Sequence, residues 1–435
     1  MARFAEWMWN PVLCFVYIEI GIIFLWLTKG IALRRGFIVL RHSLFKAEVN
    51  PSEESVSHTK ALFSTLAATI GVGNLAGVGT AIHLGGPGAL FWMWVSAFFG
   101  VSFRMISTYL AIKCQPTDTT SPSFATPMSY LTQKIRWFGG KISWMVASLI
   151  LIQCLITANL IQSNSVAHAM KGKVLFSDFV VAALLTMLVG LVILGGLQKI
   201  VRFSSILAPL MHITYVLIGA YILISDPLTT IKALGSVFYY AFTPYSFFGG
   251  VAGYTVLQAL QFGVARGVFS HGSGTGVCPF FQGANRDHPS VGALMSAVTP
   301  VIDTFMVCTI TGLVVLSGTY WPSENGAYLT AVTYASKLGE VGHMFIVVCL
   351  MVFAFTTIIT NANYAERCFL YLGGNNIKSF RLLFLFITFI GPFFPVIFVW
   401  SLGDVLVGLL VVVHLIPMTY IALKNFKIIR DDLLV

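Results

Sequence analysis

Charged residues are scarce in this sequence of 435 residues: Asp, Glu, Lys and Arg together make up 10%, whereas 57% of the residues are hydrophobic. A soluble domain carries about 25% charged residues, because most of its surface faces water. This deficit excludes a soluble globular protein. Apolar stretches of about 20 residues recur along the chain, and each is long enough to cross a bilayer as a helix. The sequence therefore predicts an all-α membrane protein.

Strict alternation of apolar and polar residues is also lacking. Membrane-spanning β-strands alternate over about 10 residues, because one face meets lipid and the other the barrel interior. Here the apolar runs are long and uniform, as in Val180–Leu194 and Phe345–Phe355. This pattern excludes a transmembrane β-barrel, since only the helix satisfies its own backbone hydrogen bonds in lipid.

Motifs for metal or hydrolytic chemistry are missing too. The seven cysteines include no C-x-x-C pair, and the chain has neither H-E-x-x-H nor G-x-S-x-G. An intramembrane enzyme is therefore not expected. No span carries the repeated charges that line a charged ion channel. The formal net charge of +10 is attributed to loops on one membrane face, with lipid and not nucleic acid as the partner.

Eleven spans are predicted, and polar or turn-rich breaks such as Gly85-Gly86-Pro87-Gly88 separate them. They cover residues 12–28, 61–84, 88–113, 142–169, 178–195, 203–224, 250–280, 291–316, 342–368, 381–400 and 403–424. The polar connection 29–60 is expected at the membrane surface, and segment 231–249 as an interfacial helix. With these spans, 19 of the 26 Lys and Arg residues lie on the side of the C-terminus and 5 on the other. The positive-inside rule then predicts a cytoplasmic C-terminus and an external N-terminus in a plasma (bacterial inner) membrane.

Two spans are interrupted by glycines. The first reads Thr69-Ile-Gly71-Val-Gly73-Asn74-Leu-Ala-Gly77-Val-Gly79, and the other reads Phe269-Ser-His-Gly272-Ser-Gly274-Thr-Gly276. Each glycine costs about 1 kcal/mol relative to alanine in a helix, so both clusters favour local unwinding. Unwound amides attract a carboxylate, and unwound carbonyls suit Na⁺. Close packing between helices is the alternative explanation for small residues.

The two clusters occupy matching places, because each opens a group of five spans. Paired interrupted helices at such places indicate a carrier built from an inverted repeat. Ionisable residues inside spans are candidates for function, and Asp303 is one of them. Arg104 and Arg266 are expected to have structural roles, near a span end or paired with an acid. Thr356 and Thr357 offer hydroxyl oxygens for a sodium ion, with bonding to their own helix as the alternative.

At these residues the sequence resembles the alanine/glycine:cation symporter family, which has the LeuT-type fold. The resemblance covers nearly the whole chain, with its motifs in order. It rests on Leu66-Ala-Ala-Thr-Ile-Gly-Val-Gly-Asn-Leu-Ala-Gly-Val78, Gly85-Gly-Pro-Gly-Ala-Leu-Phe-Trp-Met-Trp94, Asn159-Leu-Ile-Gln-Ser-Asn-Ser165, Gly263-Val-Ala-Arg-Gly-Val-Phe-Ser270, Ile302-Asp-Thr304, Phe353-Ala-Phe-Thr-Thr357 and Tyr364-Ala-Glu-Arg-Cys368.

The resemblance implies a five-plus-five inverted repeat after one extra N-terminal helix. Residues 1–60 would hold that helix and a cytoplasmic loop, 61–224 the first repeat, 225–249 an external connection, and 250–435 the second repeat and a short tail. It further implies a secondary transporter that imports a small neutral amino acid such as alanine or glycine, coupled to Na⁺ or H⁺. The implied substrate-binding residues are Gly73, Asn74, Gln162, Phe269, Ser270, Ser273 and Asn361. The implied cation-binding positions are Thr69 to Val72, through their backbone, with Thr356 and Thr357.

Three departures from the family pattern bear on the cargo. The family's Phe-Ser-Asn-Glu-Ala-Gly-Leu-Gly is here Phe269-Ser-His-Gly-Ser-Gly-Thr-Gly276, which loses an acid and gains a titratable His271. Val72 replaces a threonine, and Asn361 replaces a tryptophan that walls the pocket. His271 and Asp303 are therefore candidates for coupling, with a hydrogen-bonded structural His271 as the alternative. A carrier of a larger or more polar amino acid, or a solute sensor that does not transport, remains open, as do the enantiomer, stoichiometry and oligomeric state.

Overall fold

The computed structural model describes residues 2–45, 58–115, 126–171, 177–245, 255–282 and 289–434, which form helices and no β-strand. The predicted span 250–280 begins outside these residues, and the predicted interfacial segment 231–249 ends outside them. The α-helices are α1 Ala2–Met8, α2 Pro11–Leu27, α3 Ile31–Phe45, α4 His58–Thr69, α5 Ala76–Gly85, α6 Ala89–Lys113, α7 Pro127–Lys134, α8 Gly139–Leu155, α9 Ile161–Ala169, α10 Asp178–Ile193, α11 Gly196–Ser225, α12 Pro227–Tyr240, α13 Val256–His271, α14 Pro279–Gln282, α15 Pro289–Pro300, α16 Thr309–Leu316, α17 Gly326–Leu338, α18 Glu340–Tyr371, α19 Ile377–Ile390, α20 Val396–Leu410, α21 Ile416–Lys424 and α22 Phe426–Leu434.

Three of the long helices contain a wider π-helical segment. Ile156–Leu160 joins α8 to α9, Val301–Cys308 joins α15 to α16, and Val411–Leu415 joins α20 to α21. A π-helical turn holds one more residue than an α-helical turn, and such turns occur frequently at functional sites.

Six helices of the described residues are long and apolar enough to cross a membrane: 89–113, 139–169, 196–225, 289–316, 340–371 and 396–424. Two bent pairs raise this number to eight. Residues 11–27 and 31–41 meet at 71°, and residues 60–69 and 72–85 meet at 58°. Asp178–Ile193 is a shorter apolar helix. The all-α membrane fold is thus confirmed, whereas the count of eleven spans stays a prediction.

The helix ends correct two boundaries of the prediction. The polar connection 29–60 begins with a helix, α3 at Ile31–Phe45, and its place at the membrane surface stays a prediction. The break between the last two spans lies at 391–395, not at 401–402, because Gly391, Pro392 and Pro395 interrupt the helix there. The predicted interfacial helix begins earlier, at Pro227, where the Asp226 side chain caps its first turn.

The core forms around α6, which packs against α13 and α15. Its residues from Gly100 to Ile112 are all buried. The outer faces are apolar instead of polar: Leu217 of α11 is 64% exposed and Ile397 of α20 is 70% exposed. Large apolar surface of this kind would be unfavourable in water and suits contact with lipid.

Candidate functional site

The first interrupted helix unwinds between α4 and α5. Gly71 is extended, and its amide donates to the Asn74 side chain at 3.1 Å. The amide of Val72 donates to Gln162 Oε1 at 3.0 Å. A Cβ atom at Gly71 would lie 2.6 Å from Thr357 Oγ1 and 2.8 Å from Gln162 Oε1, so only glycine allows this approach. The break is therefore held by α9 and α18, as well as by its own side chains.

Asp303, in the π-helical segment between α15 and α16, connects the two interrupted helices. Its carboxylate is fully buried and accepts hydrogen bonds from Asn74 Nδ2 at 2.9 Å and from Ser270 Oγ at 2.8 Å. Thr304 Oγ1 donates to it as well, at 2.9 Å. Three donors compensate the buried charge. The side chains of Asn74 and Ser270, predicted to bind substrate, are thus engaged by Asp303.

The second interrupted helix stops at His271, because Gly272 adopts a left-handed conformation with φ of 62°. The amide of Ser273 donates to His271 Nδ1 at 3.1 Å, so this nitrogen carries no proton. The other ring nitrogen, Nε2, lies 3.3 Å from Ser96 Oγ, which itself donates to the Met93 carbonyl. The ring is buried and neutral in this arrangement, and protonation of Nδ1 would break the bond from Ser273. The geometry favours the hydrogen-bonded alternative for His271; its part in coupling stays a prediction.

The predicted cation-binding residues divide into two groups. Thr357 Oγ1 reaches across from α18 to the carbonyls of Ala67, at 3.0 Å, and Ile70, at 3.3 Å. Thr69 and Thr356 instead donate to carbonyls of their own helices. One hydroxyl and two carbonyls thus meet at the break, and oxygen atoms are the ligands that hard cations take in proteins. The Ile70 carbonyl lies within the predicted backbone range Thr69 to Val72, whereas the Ala67 carbonyl lies outside it, because side-chain identity does not show which backbone groups unwinding leaves free.

A cavity of about 40 Å³ lies between the two breaks. Seven of the predicted site residues line it: Thr69, Gly73, Gln162, Phe269, Ser270, Thr357 and Asn361. Six others are not among its lining residues: Val72, Asn74, His271, Ser273, Asp303 and Thr356. Further lining residues that the sequence did not indicate include Gln153, Thr157 and Tyr364. Tyr364 follows the predicted Asn361 by three residues and Thr157 precedes the predicted Gln162 by five, so spacing was a signal for these two, whereas Gln153 lies nine residues before Gln162.

An aromatic wall separates this cavity from a larger one. Phe269 lies against Trp400 of α20, with ring centroids 5.0 Å apart. The guanidinium of Arg266 lies over the Trp400 ring, 4.7 Å from its centroid. Arg266 also forms a two-point ion pair with Asp404, as predicted for an arginine paired with an acid. The larger cavity, of about 260 Å³, is lined by Arg266, Trp400 and Asp404. Phe269, which lines the smaller cavity, and Trp400, which lines the larger one, are thus in ring contact between the two cavities.

Arg104 departs from its prediction. It lies within α6, is fully buried, and lines the 40 Å³ cavity, where its Nη1 donates to the His271 carbonyl. No acid pairs with it among the described residues. Arg104 thus lies neither near a span end nor beside a bonded acid of the described residues, although one of these was expected, and its structural role stays a prediction.

Two interrupted helices around a polar cavity, within a bundle that has an apolar outer surface, define a membrane transporter of the secondary, ion-coupled class. The model of the sodium:alanine symporter family matches residues 1–432, and the chain belongs to this family. The resemblance found in the sequence is thereby confirmed. The family consists of sodium-coupled transporters, not enzymes.

Two curated relatives match over nearly the whole chain. An uncharacterized transporter of Haemophilus influenzae is 35% identical, covering 89% of this chain and 87% of its own. The sodium/alanine symporter AgcS of Methanococcus maripaludis is 34% identical, covering 94% of this chain and 92% of its own.

Among solved structures, that of MhsT in complex with L-phenylalanine matches with a TM-score of 0.59 and 12% identity, covering 88% of this chain and 100% of that one. MhsT has the LeuT-type fold, so the predicted fold class is confirmed. The repeat boundaries at 61–224 and 250–435 stay a prediction.

Proposed function

We propose that the chain imports a small neutral amino acid such as alanine or glycine together with Na⁺, by alternating access. The observation that carries this proposal is the meeting of the Thr357 hydroxyl with the Ala67 and Ile70 carbonyls, beside the cavity and at a helix break. Sodium coupling also agrees with the family to which the chain belongs. Inward movement of one positive charge gains about 2.3 kcal/mol per 100 mV of membrane potential, which supplies the driving force.

The three oxygen atoms fit Na⁺, which is cargo in this mechanism. A sodium ion would be bound by the Ala67 and Ile70 carbonyls and the Thr357 hydroxyl, with additional ligands from the same break. This ion would also neutralise the carbonyl dipoles that the unwound turn leaves at membrane depth. Binding of the cation thus favours the conformation in which the break faces the cavity, and this links ion binding to solute binding.

The proposed solute lies between the breaks, against Gly73, Gln162 and Phe269. A Cβ atom at Gly73 would lie 3.1 Å from the Phe269 ring, so glycine keeps free the space between the unwound turn and this ring. The Gln162 amide already holds the unwound turn through Val72, which lets the solute's site and the turn move together. The small cavity favours a small amino acid.

A larger or more polar amino acid is the second candidate, and Asn361 favours it. The Asn361 amide lines the cavity and donates to the carbonyls of Ala68, at 3.1 Å, and Thr357, at 2.9 Å. Its Oδ1 has Cys154 Sγ at 3.9 Å as a weak partner. An acceptor is thus left for a polar solute where the family's tryptophan would present an apolar ring.

Competition uptake in proteoliposomes tests this function. Vesicles that contain the purified chain would take up labelled alanine or glycine faster with an inward sodium gradient than without one. An unlabelled amino-acid panel ranks the cargo, and a shift of preference toward glutamine or serine would favour the second candidate. Stimulation by a proton gradient alone would replace Na⁺ by H⁺ as the coupling ion. Absence of both uptake and counterflow, with binding retained, would indicate a sensor.

Thr357→Val tests the proposed cation site, because valine keeps the shape and removes the hydroxyl. We expect sodium half-saturation of uptake to rise by about tenfold or more, since a ligand of a hard cation is lost. Thr214→Val is the matched control, because the Thr214 hydroxyl bonds to Leu210 of its own exposed helix. Equal sodium dependence in both variants would refute the assignment of Thr357.

A further inference from the structure

Arg104 is a buried cation that forms no ion pair with an acid among the described residues. Its guanidinium is fully buried within α6, and its only hydrogen bond among the described residues runs from Nη1 to the His271 carbonyl. Nε and Nη2 have no acceptor there. A guanidinium stays charged in a protein, so burial without compensation is strongly unfavourable. The position therefore calls for a bonded anion, and no acid among the described residues is hydrogen-bonded to it.

Asp303 is not that anion. Its two carboxylate oxygens accept from Asn74, Ser270 and Thr304, and none of its hydrogen bonds comes from Arg104. The ion pairs among the described residues join other basic side chains to acids, as Arg266 to Asp404. The Arg104 guanidinium, which lines the cavity, thus has no directly bonded acid among the described residues.

The two free nitrogens form one edge of the guanidinium. Nε–H and the neighbouring N–H of Nη2 point the same way, and this edge matches the two oxygens of a carboxylate. Nη1, on the other side, is fixed by the His271 carbonyl at the end of α13. Arg104 lines the same cavity as Gln162, Phe269 and Tyr364. The His271 carbonyl thus fixes one side of the guanidinium, while Nε and Nη2, buried in a residue that lines this cavity, have no acceptor among the described residues.

We propose that Arg104 binds a carboxylate of the transported solute through this two-point edge. The proposal rests on the function proposed above and adds the residue that recognises the acid group. A carboxylate could come from the backbone of any amino acid or from the side chain of an acidic one. Either carboxylate would place its two oxygens against Nε and Nη2. If the backbone carboxylate binds there, the solute is any small amino acid; if the side-chain carboxylate binds there, the solute is an acidic amino acid.

Four ligands distinguish the two sources. L-Alanine carries only the backbone carboxylate, and L-alaninamide carries none. L-Aspartate carries both, and the α-amide of aspartic acid keeps only the side-chain carboxylate. Their dissociation constants would be measured by calorimetry on the purified full chain in detergent with Na⁺. Binding of alanine but not of alaninamide indicates the backbone carboxylate, and binding of the α-amide of aspartic acid indicates the side-chain one.

Arg104→Gln and Arg104→Lys test the residue. We expect Arg104→Gln to bind the preferred acid about 10- to 100-fold more weakly and to lose its preference for the acid over the matching amide. Arg104→Lys keeps the positive charge but loses the two-point edge of the guanidinium. Its affinity for the acid should therefore lie between those of the wild type and Arg104→Gln. Arg136→Gln, at an exposed arginine, is the matched control and should keep both values. The ratio of the affinities for the acid and for its amide reports recognition of the carboxylate. A merely structural role of Arg104 would leave this ratio unchanged.

A folded, monodisperse Arg104→Gln protein with the wild-type affinity and the wild-type ratio would overturn the proposal. If this variant fails to fold, Arg104→Lys decides: a preference for the acid over the amide that is weaker than in the wild type supports the two-point contact, and an unchanged preference overturns it. If the wild type takes up no amino acid but binds simple carboxylates such as lactate in a manner that depends on Arg104, the proposed function fails and the assignment of Arg104 stands.

Discussion

Gly71 is the residue at which the smallest change is expected to have the largest effect. An added methyl group would lie within 2.8 Å of both Thr357 Oγ1 and Gln162 Oε1, closer than carbon and oxygen can approach. Overpacking of this kind costs about 1–3 kcal/mol and would push the Thr357 hydroxyl, proposed above to bind the cation, away from its two carbonyls. We expect Gly71→Ala to lower sodium-driven uptake by about tenfold or more, measured as initial rate in proteoliposomes.

The control for Gly71→Ala is Gly140→Ala, where an added methyl group meets nothing within 4 Å. This variant should keep wild-type uptake and a wild-type melting temperature. Wild-type sodium dependence in Gly71→Ala would show that the break tolerates a wider separation, and it would remove the steric basis of the proposed cation site.

At the scale of single residues, the sequence predicts the neighbourhood of the site better than the role of each side chain. The glycine cluster around Gly71 locates the break, and Gln162 and Phe269 do line the cavity. The engagement of Asn74 by Asp303 depends on how two distant helices meet, which no local pattern encodes. Arg104 was misjudged for the same reason, because pairing with an acid is a tertiary property.

Asp303 acts between elements, since it holds both interrupted helices through Asn74 and Ser270. In Asp303→Asn, an amide NH₂ would replace one acceptor oxygen and would face a donor. A buried unsatisfied group costs about 1–3 kcal/mol. We expect a lower melting temperature and uptake reduced by about tenfold or more. Asp178→Asn, at an exposed aspartate in the first turn of α10, is the control. Undiminished transport with wild-type stability in Asp303→Asn would contradict this role.

The C-terminal helix α22 is joined to the end of α6 by a pH-dependent contact. Asp432 accepts hydrogen bonds from the Tyr109 hydroxyl and, at 2.9 Å, from Lys113, and these bonds lower the pKa of its carboxyl below the ordinary value. A lowered pKa stabilises the folded form above the unfolded value of about 3.9 and is lost as the pH falls through the folded value. The contact should therefore be fully present at pH 5 to 7 and weaken only in stronger acid.

Hydrogen exchange measures this contact. We expect Asp432→Asn at pH 7 to lower the protection factors of the α22 amides, taken relative to intrinsic exchange at the same pH, toward the values that the wild type reaches only in acid below the lowered pKa of Asp432. Asp431→Asn is the control, because Asp431 pairs only with the adjacent Arg430 among the ion pairs of the described chain. Equal protection of α22 in the two variants at pH 7 would contradict the contribution of Asp432.

At the scale of helices, the existence of an element could be predicted far better than its ends. Long apolar runs predict α11 and α18 directly, because lipid permits little else. Helix α3 was missed since its polar composition is typical of a surface connection. The break before α20 was placed about ten residues late, because hydropathy continues across Gly391 and Pro395 although the backbone cannot.

The orientation of the whole molecule follows from the charge of its connections and can be tested by labelling. The seven native cysteines are all buried, which keeps the background low. Arg3→Cys and Arg430→Cys each introduce an accessible thiol near one end of the chain. We expect a membrane-impermeant maleimide to label Arg3→Cys in right-side-out vesicles and Arg430→Cys only in inside-out vesicles. The reverse pattern would contradict the external N-terminus, and labelling of both in one preparation would contradict an odd number of spans.

For the molecule as a whole, composition alone predicts the membrane class, and ordered motifs predict the family. Both are confirmed, because they depend on properties summed over hundreds of residues. The number of spans is harder to predict. The shorter helix α10 and the bent pairs are ambiguous by length, and only a bilayer position would settle whether each crosses.

The three π-helical segments have a consequence for anyone who draws these helices as wheels. Each segment lies at or close to a residue that contacts an interrupted helix. Asp303 and His414 lie within their segments, and Gln162 follows the end of its segment by two residues. Asp303 and Gln162 accept the hydrogen bonds described above, and His414 Nδ1 lies 2.7 Å from the Gly274 carbonyl. An extra residue in one turn rotates everything beyond it by most of 100° relative to a regular α-helix. A wheel projected from one end of such a helix therefore assigns lipid-facing positions to the interior at the other end. Scanning mutagenesis of these helices should be phased separately on the two sides of each segment.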